Sequence, residues 1–120
     1  MTNSTYILSE SALYRKFSEE LIVIQAESGH FYYFSQNTEK YLDFFRTPHS
    51  LNDLIANFGD ISSDSQEHLE QFVKSLVEKE ILEPTEKEAN SSESFLFEYS
   101  KPVFLRTGEK TLDQITFLCP

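Results

Sequence analysis

The chain reads as an α+β domain: a three-stranded antiparallel sheet, three helices and an extended C-terminal tail. Three observations predict this. Two short apolar segments, LIVIQ and HFYYF, flank a glycine turn. Three apolar stripes at helical spacing follow, two of them behind serine caps. Beyond a polar, acidic stretch the chain turns apolar again, in the manner of a peptide. A length of 120 residues suits one domain. The expected organisation is a folded body over residues 1–83, a flexible acidic linker over 84–94 and a tail over 95–120.

Tyr6–Leu8 is a short apolar run, read as a strand or a docked arm. Ala12–Phe17 is taken as the first sheet strand. Leu21–Gln25 is β-branched, apolar and short, the composition of a buried strand. Glu27, Ser28 and Gly29 supply turn chemistry, so His30–Phe34 returns as the hairpin partner. Asn37 or Thr38 is placed to cap a short helix through Phe45, with Tyr41, Phe44 and Phe45 sharing a face. Thr47 and Pro48 end it. Ser50 stands three residues before Asp53, the spacing of a capping box. The helix it opens carries Leu51, Leu54, Ile55 and Phe58 on one stripe, and Gly59 follows at a stopping position. Ser63 stands three before Gln66, again a capping-box spacing. Leu69, Phe72, Val73, Leu76, Val77 and Ile81 then trace a long amphipathic stripe ended by Pro84.

Composition excludes several classes of function. The formal charge is −10, and fourteen acids against six bases fall in residues 1–83. Such a body repels phosphate backbones, which argues against nucleic acid as a partner. The one cysteine, Cys119, cannot form an internal disulfide. The amino terminus lacks a charged start followed by an apolar run, and no segment approaches a membrane span, so a cytoplasmic protein with no membrane partner is expected. His30, His49 and His68 have no ligand spacing, so no metal and no cofactor is expected. With three glycines there is no phosphate-binding loop, and no nucleophile has an assignable base, so no catalytic residue is named and no enzyme is expected.

The order LIVIQ, Gly29, FYYF, a short helix at Asn37–Phe45, the Ser-capped SLNDLIANF and a long last helix ending in Ile81-Leu82 resembles the PqqD-like domain, also called the RiPP recognition element. The resemblance covers roughly residues 12–83. It departs where family members often carry a Leu-Asn pair entering the first helix; here Phe34-Ser35-Gln36-Asn37 stands. The resemblance implies a winged-helix-like fold and a non-enzymatic role. Such a domain binds the leader of a ribosomal precursor peptide as a strand beside the third strand, against the third helix, and delivers it to modifying enzymes of natural-product biosynthesis. Carried onto this chain, the peptide-binding residues are Phe31, Tyr32, Tyr33, Phe34, Leu69, Phe72, Val73 and Leu76. An open strand edge would suit such a peptide independently, because its N–H and C=O groups are satisfied by an added strand.

The tail is similar to lasso-type precursor leaders. Tyr99, Pro102 three on, Phe104 two further and Gly108 four further match their offsets, with Leu112 and Thr116 beyond. Thr116 lies eight after Gly108 instead of six, and Phe104 stands where leucine is commoner. The tail is therefore expected to be a tethered leader or substrate, held in cis or exchanged in a strand-swapped homodimer, with a peptide-modifying enzyme or protease as the further partner. The other readings are a winged-helix transcriptional regulator or adaptor, a small enzyme subunit, and an ordinary extension packed on the domain.

Overall fold

The computed structural model describes residues 5–87 and 98–108, and it is α+β. Four strands form the larger sheet: β2 (Ala12–Phe17), β3 (Glu20–Gln25), β4 (His30–Ser35) and β7 (Phe104–Gly108), in the order β2-β3-β4-β7. All neighbours are antiparallel. Three helices follow β4: α1 (Thr38–Phe44), α2 (Leu51–Phe58) and α3 (Ser63–Glu78). A second, three-stranded sheet joins β1 (Thr5–Leu8) to β5 (His49–Ser50) on one side and β6 (Leu82–Thr85) on the other.

Alternation along the hairpin sets the two sheet faces. Leu21 and Val23 of β3, with Tyr32 and Phe34 of β4, point into the main core. Tyr41, Leu42, Phe44, Phe45, Leu54, Leu69, Phe72, Val73 and Leu76 meet them from the helices, so the three helices cover one face of the sheet. The opposite face carries a smaller cluster of Ile22, Ile24 and Phe31 with Tyr33 packed against it. Gly29 makes the hairpin turn at φ 79° and closes it by donating to the Gln25 carbonyl at 2.7 Å.

The helix termini show where local chemistry decides. Ser50 and Asp53 form a complete capping box on α2, and Gly59 ends that helix at φ 76°. The α3 cap is Ser62, one residue earlier than expected, with its hydroxyl accepting from Ser65 N–H. Two serines in a row offer the same chemistry, and Ser62 takes the extended backbone a cap requires. Asn37 precedes α1 but makes no capping bond, because its side chain is engaged elsewhere.

Three expectations need correction. The sheet has four strands, since β7 joins the expected three. A second sheet exists that was not foreseen. Finally, α3 ends at Glu78; Glu80 adopts a left-handed conformation at φ 61°, and the chain turns into β6, so Ile81, Pro84 and Thr85 belong to a turn and a strand instead of a helix and a linker. Pro84 is tolerated there because β6 lies at the edge of its sheet. Residues 88–97, most of the expected linker, lie outside the described residues, as do Leu112, Thr116 and Cys119.

Candidate functional site

The site lies where residues 98–108 cross the body beside β4. Its foundation is the exit from β4 into α1. Ser35 ends the strand, Asn37 opens the helix, and Tyr41 follows one turn later, so three polar groups emerge within seven residues. His68 on α3 faces them across the groove.

These groups engage four successive carbonyls of the crossing segment. Tyr41 Oη donates to Ser100 O at 2.7 Å, and Asn37 Nδ2 donates to Lys101 O at 3.0 Å. His68 Nε2 lies 3.0 Å from Pro102 O; a carbonyl only accepts, so that nitrogen carries the proton. Ser35 N–H donates to Val103 O at 2.8 Å. Two further bonds tighten the row. Val103 N–H donates to Ser35 Oγ at 2.9 Å, and Asn37 Nδ2 also donates to Ser100 Oγ at 2.8 Å. Ser35 Oγ in turn donates to Asn37 Oδ1, which orients the amide. Burial pushes the Tyr41 phenol well above its ordinary range, so the group stays a donor.

From Phe104 onward ladder pairing takes over. Phe34 pairs with Phe104, Tyr33 with Arg106, Tyr32 with Thr107 and Phe31 with Gly108, with an irregularity at Tyr33/Phe34. Side chains then settle into distinct places. Tyr99 packs on the main core, its ring edge-on to Phe58 with centroids 5.5 Å apart. Pro102 is buried. Phe104 lies over Phe34 and Tyr32, at 5.3 and 6.4 Å between centroids, with the Lys79 ammonium 4.3 Å from its ring centre; it remains 38% exposed. Gly108 is close against Tyr33: a Cβ there would stand 2.3 Å from that ring's Cε1. Arg106 stacks on Tyr33 and forks onto Glu20 of β3.

No protein-family model, curated protein or solved structure matches the chain.

The groove residues named from sequence divide by position. Phe34 and Tyr32 touch Phe104 on the helix side of the sheet, and Tyr33 touches Arg106 and Gly108 on the other side. Phe31 pairs with Gly108 through its backbone, while its side chain is buried in the smaller cluster. Phe72 backs the site, T-shaped against Phe34 and Tyr41 at 6.1 and 5.8 Å. Leu69, Val73 and Leu76 lie fully inside the main core. Tyr99, Pro102, Phe104 and Gly108 all sit against the body. The residues that sequence reasoning missed are Ser35, Asn37, Tyr41 and His68. From sequence Asn37 is one of two candidate helix caps, with Thr38, and His68 is an exposed or satisfied histidine.

This arrangement holds an extended backbone and sorts a few side chains. Among the described residues, no group of three or more His, Cys, Asp and Glu is placed to hold a metal ion. Among the same residues, no helix is long and apolar enough to cross a membrane.

Proposed function

We propose that this chain is a non-enzymatic peptide-recognition domain of the PqqD-like, winged-helix-related type. It takes an extended leader segment of a ribosomal precursor beside β4, against α3, and delivers it to modifying enzymes or a protease in the cytoplasm. Residues 98–108 act as its own tethered leader. The observation that carries this reading is the run of four consecutive carbonyls, Ser100 to Val103, each met by a donor from the body. A row of donors aimed at one backbone, three from side chains and one from the end of β4, grips a peptide largely irrespective of its sequence, while pockets for alternate side chains add selectivity.

The test is to insert a specific protease site among residues 88–97 of the full chain and cut it. The reading expects the severed segment to remain bound and to be displaced, saturably, by excess synthetic peptide of residues 98–108. It also expects displacement to fail when Tyr99 and Pro102 of that peptide are both alanine. Loss of the cut segment, with no rebinding of the peptide at millimolar concentration, would overturn the reading.

A further inference from the structure

Arg106 is the only cationic side chain of β7, and the body meets it with two groups from different strands. Its Nη1 and Nη2 lie 2.8 and 3.0 Å from Glu20 Oε2 and Oε1, a two-pronged contact. Its guanidinium carbon is 4.1 Å from the centre of the Tyr33 ring. We propose that Glu20 and Tyr33 form a guanidinium-selective subsite, which reads an arginine four residues after the buried proline of the strand the groove accepts. This inference rests on the reading of residues 98–108 as a groove ligand and adds a demand on that ligand's chemistry.

Geometry supports the assignment in three ways. First, Glu20, Tyr33 and Arg106 lie on the same sheet face: Glu20 is two residues before Ile22, which pairs with Tyr33, which pairs with Arg106. The β4–β7 register therefore delivers whatever side chain stands at position 106 to these two groups. Second, Gly108 lets the Tyr33 ring lie against the strand, which sets the ring plane that the guanidinium meets. Third, the Arg106 side chain is itself 54% exposed, so what holds it in place is its contacts with Glu20 and Tyr33 and not burial. The Arg106 hydrogen bonds hold the Glu20 carboxyl below its usual range, so it is ionised throughout the neutral region.

Lysine would not substitute. An exposed ion pair of single charges contributes little. A planar fork instead makes two parallel bonds to one carboxylate while stacking flat on an aromatic ring, and an ammonium does neither. The subsite thus discriminates by shape as well as by charge.

Amide hydrogen exchange on the intact chain tests this, comparing wild type with Arg106→Lys, Arg106→Ala, Glu20→Gln and the Glu20→Gln/Arg106→Lys double variant. The core amides of Leu69, Val73 and Leu76 report that each variant is folded. Expected is a severalfold faster exchange across Phe104–Gly108 in Arg106→Lys, nearly as large as in Arg106→Ala. In the Glu20→Gln background the lysine substitution should add little. Wild-type protection in Arg106→Lys would overturn the subsite, as would an undiminished lysine effect when Glu20 is Gln. Absence of protection across Phe104–Gly108 in the wild type would instead overturn the seated-strand reading itself.

Discussion

At the scale of single residues, Gly108 shows how a side chain on the body imposes a sequence on the strand. Its backbone does not need left-handed freedom; the constraint is space, since a Cβ would stand 2.3 Å from Tyr33 Cε1. Gly108→Ala must push the ring aside, and the ring cannot move without leaving the Arg106 guanidinium. Because Tyr33 is half-buried and its ring can yield at the expense of that contact, the cost is expected at the low end of the about 1–3 kcal/mol that overpacking brings in a core. Exchange across Phe104–Gly108 is expected to quicken accordingly, with the body's core amides unaffected. In a Tyr33→Ala background the alanine at 108 should cost little, and a double-mutant cycle measures the difference. Equal costs in both backgrounds would show that the ring is not the obstacle. The glycine was legible in the sequence as one position of a spaced pattern, Tyr99, Pro102, Phe104, Gly108. Tyr33, the body's half of that contact, was legible too, within the aromatic strand; the groups that hold the carbonyls were not. Asn37, Tyr41 and His68 act through side-chain bonds to backbone carbonyls, and Ser35 through its own N–H and hydroxyl, contacts that follow no period and leave no motif. An asparagine before a helix reads as a cap whether or not it serves as one. The signal that could have raised the question is its neighbourhood: Ser35, Asn37 and Tyr41 crowd the end of the strand that carries the aromatic run.

At the scale of elements, the hairpin β3–β4 and helix α2 were legible because each has strong local chemistry. β-Branched runs flank a turn glycine in one, and a serine–aspartate box opens the other. The strands β1, β5 and β6 were not all recognisable, being four, two and four residues long and partnered only by distant segments. The junction of β2 with α1 yields a prediction of its own. Tyr14 Oη donates to Asp43 Oδ1 and accepts from Arg46 Nε at 2.8 Å, tying the edge strand to the helix that lines the groove. Burial, then the bond to the Asp43 carboxylate, pushes the Tyr14 phenol up to about 12. A phenol whose folded pKa is raised stabilises the fold fully below its unfolded value, about 10, and loses that contribution as pH rises through the folded value. Thermal stability is therefore expected to fall between about pH 10 and 12. Tyr41, also raised by burial, acts in the same direction. Tyr14→Phe should remove part of the fall, because phenylalanine has no proton to lose. Melting curves across this range that are superimposable for wild type and Tyr14→Phe would show that the junction does not carry the effect.

At the scale of the whole molecule, the question is whether the groove is filled by its own chain or by that of a neighbour. In the structure residues 98–108 lie on the body of the same chain, and β7 stands at the end of the strand order. Among the described residues no strand pairs with its far edge, along which Val103, Phe104 and Leu105 expose apolar surface. An edge of this kind invites association, and an exchanged strand would make the same bonds in a dimer. Chain length favours the internal arrangement. The ten residues from 88 to 97 span up to roughly 35 Å when extended. A short connection of that reach holds its peptide at an effective concentration on the order of millimolar. At micromolar protein a neighbour's strand therefore competes at roughly a thousandfold disadvantage. Two measurements follow from this ratio. Light scattering should report a monomer from micromolar concentrations upward until the millimolar range is approached. Amide protection across Phe104–Gly108 should be the same at every concentration below that range, because an intramolecular contact obeys no mass action. Protection that rises with concentration, in step with a growing dimer fraction, would mean that the strand is donated between chains. The groove would then be built to receive a peptide from another molecule, with the tether too constrained to fill it from within.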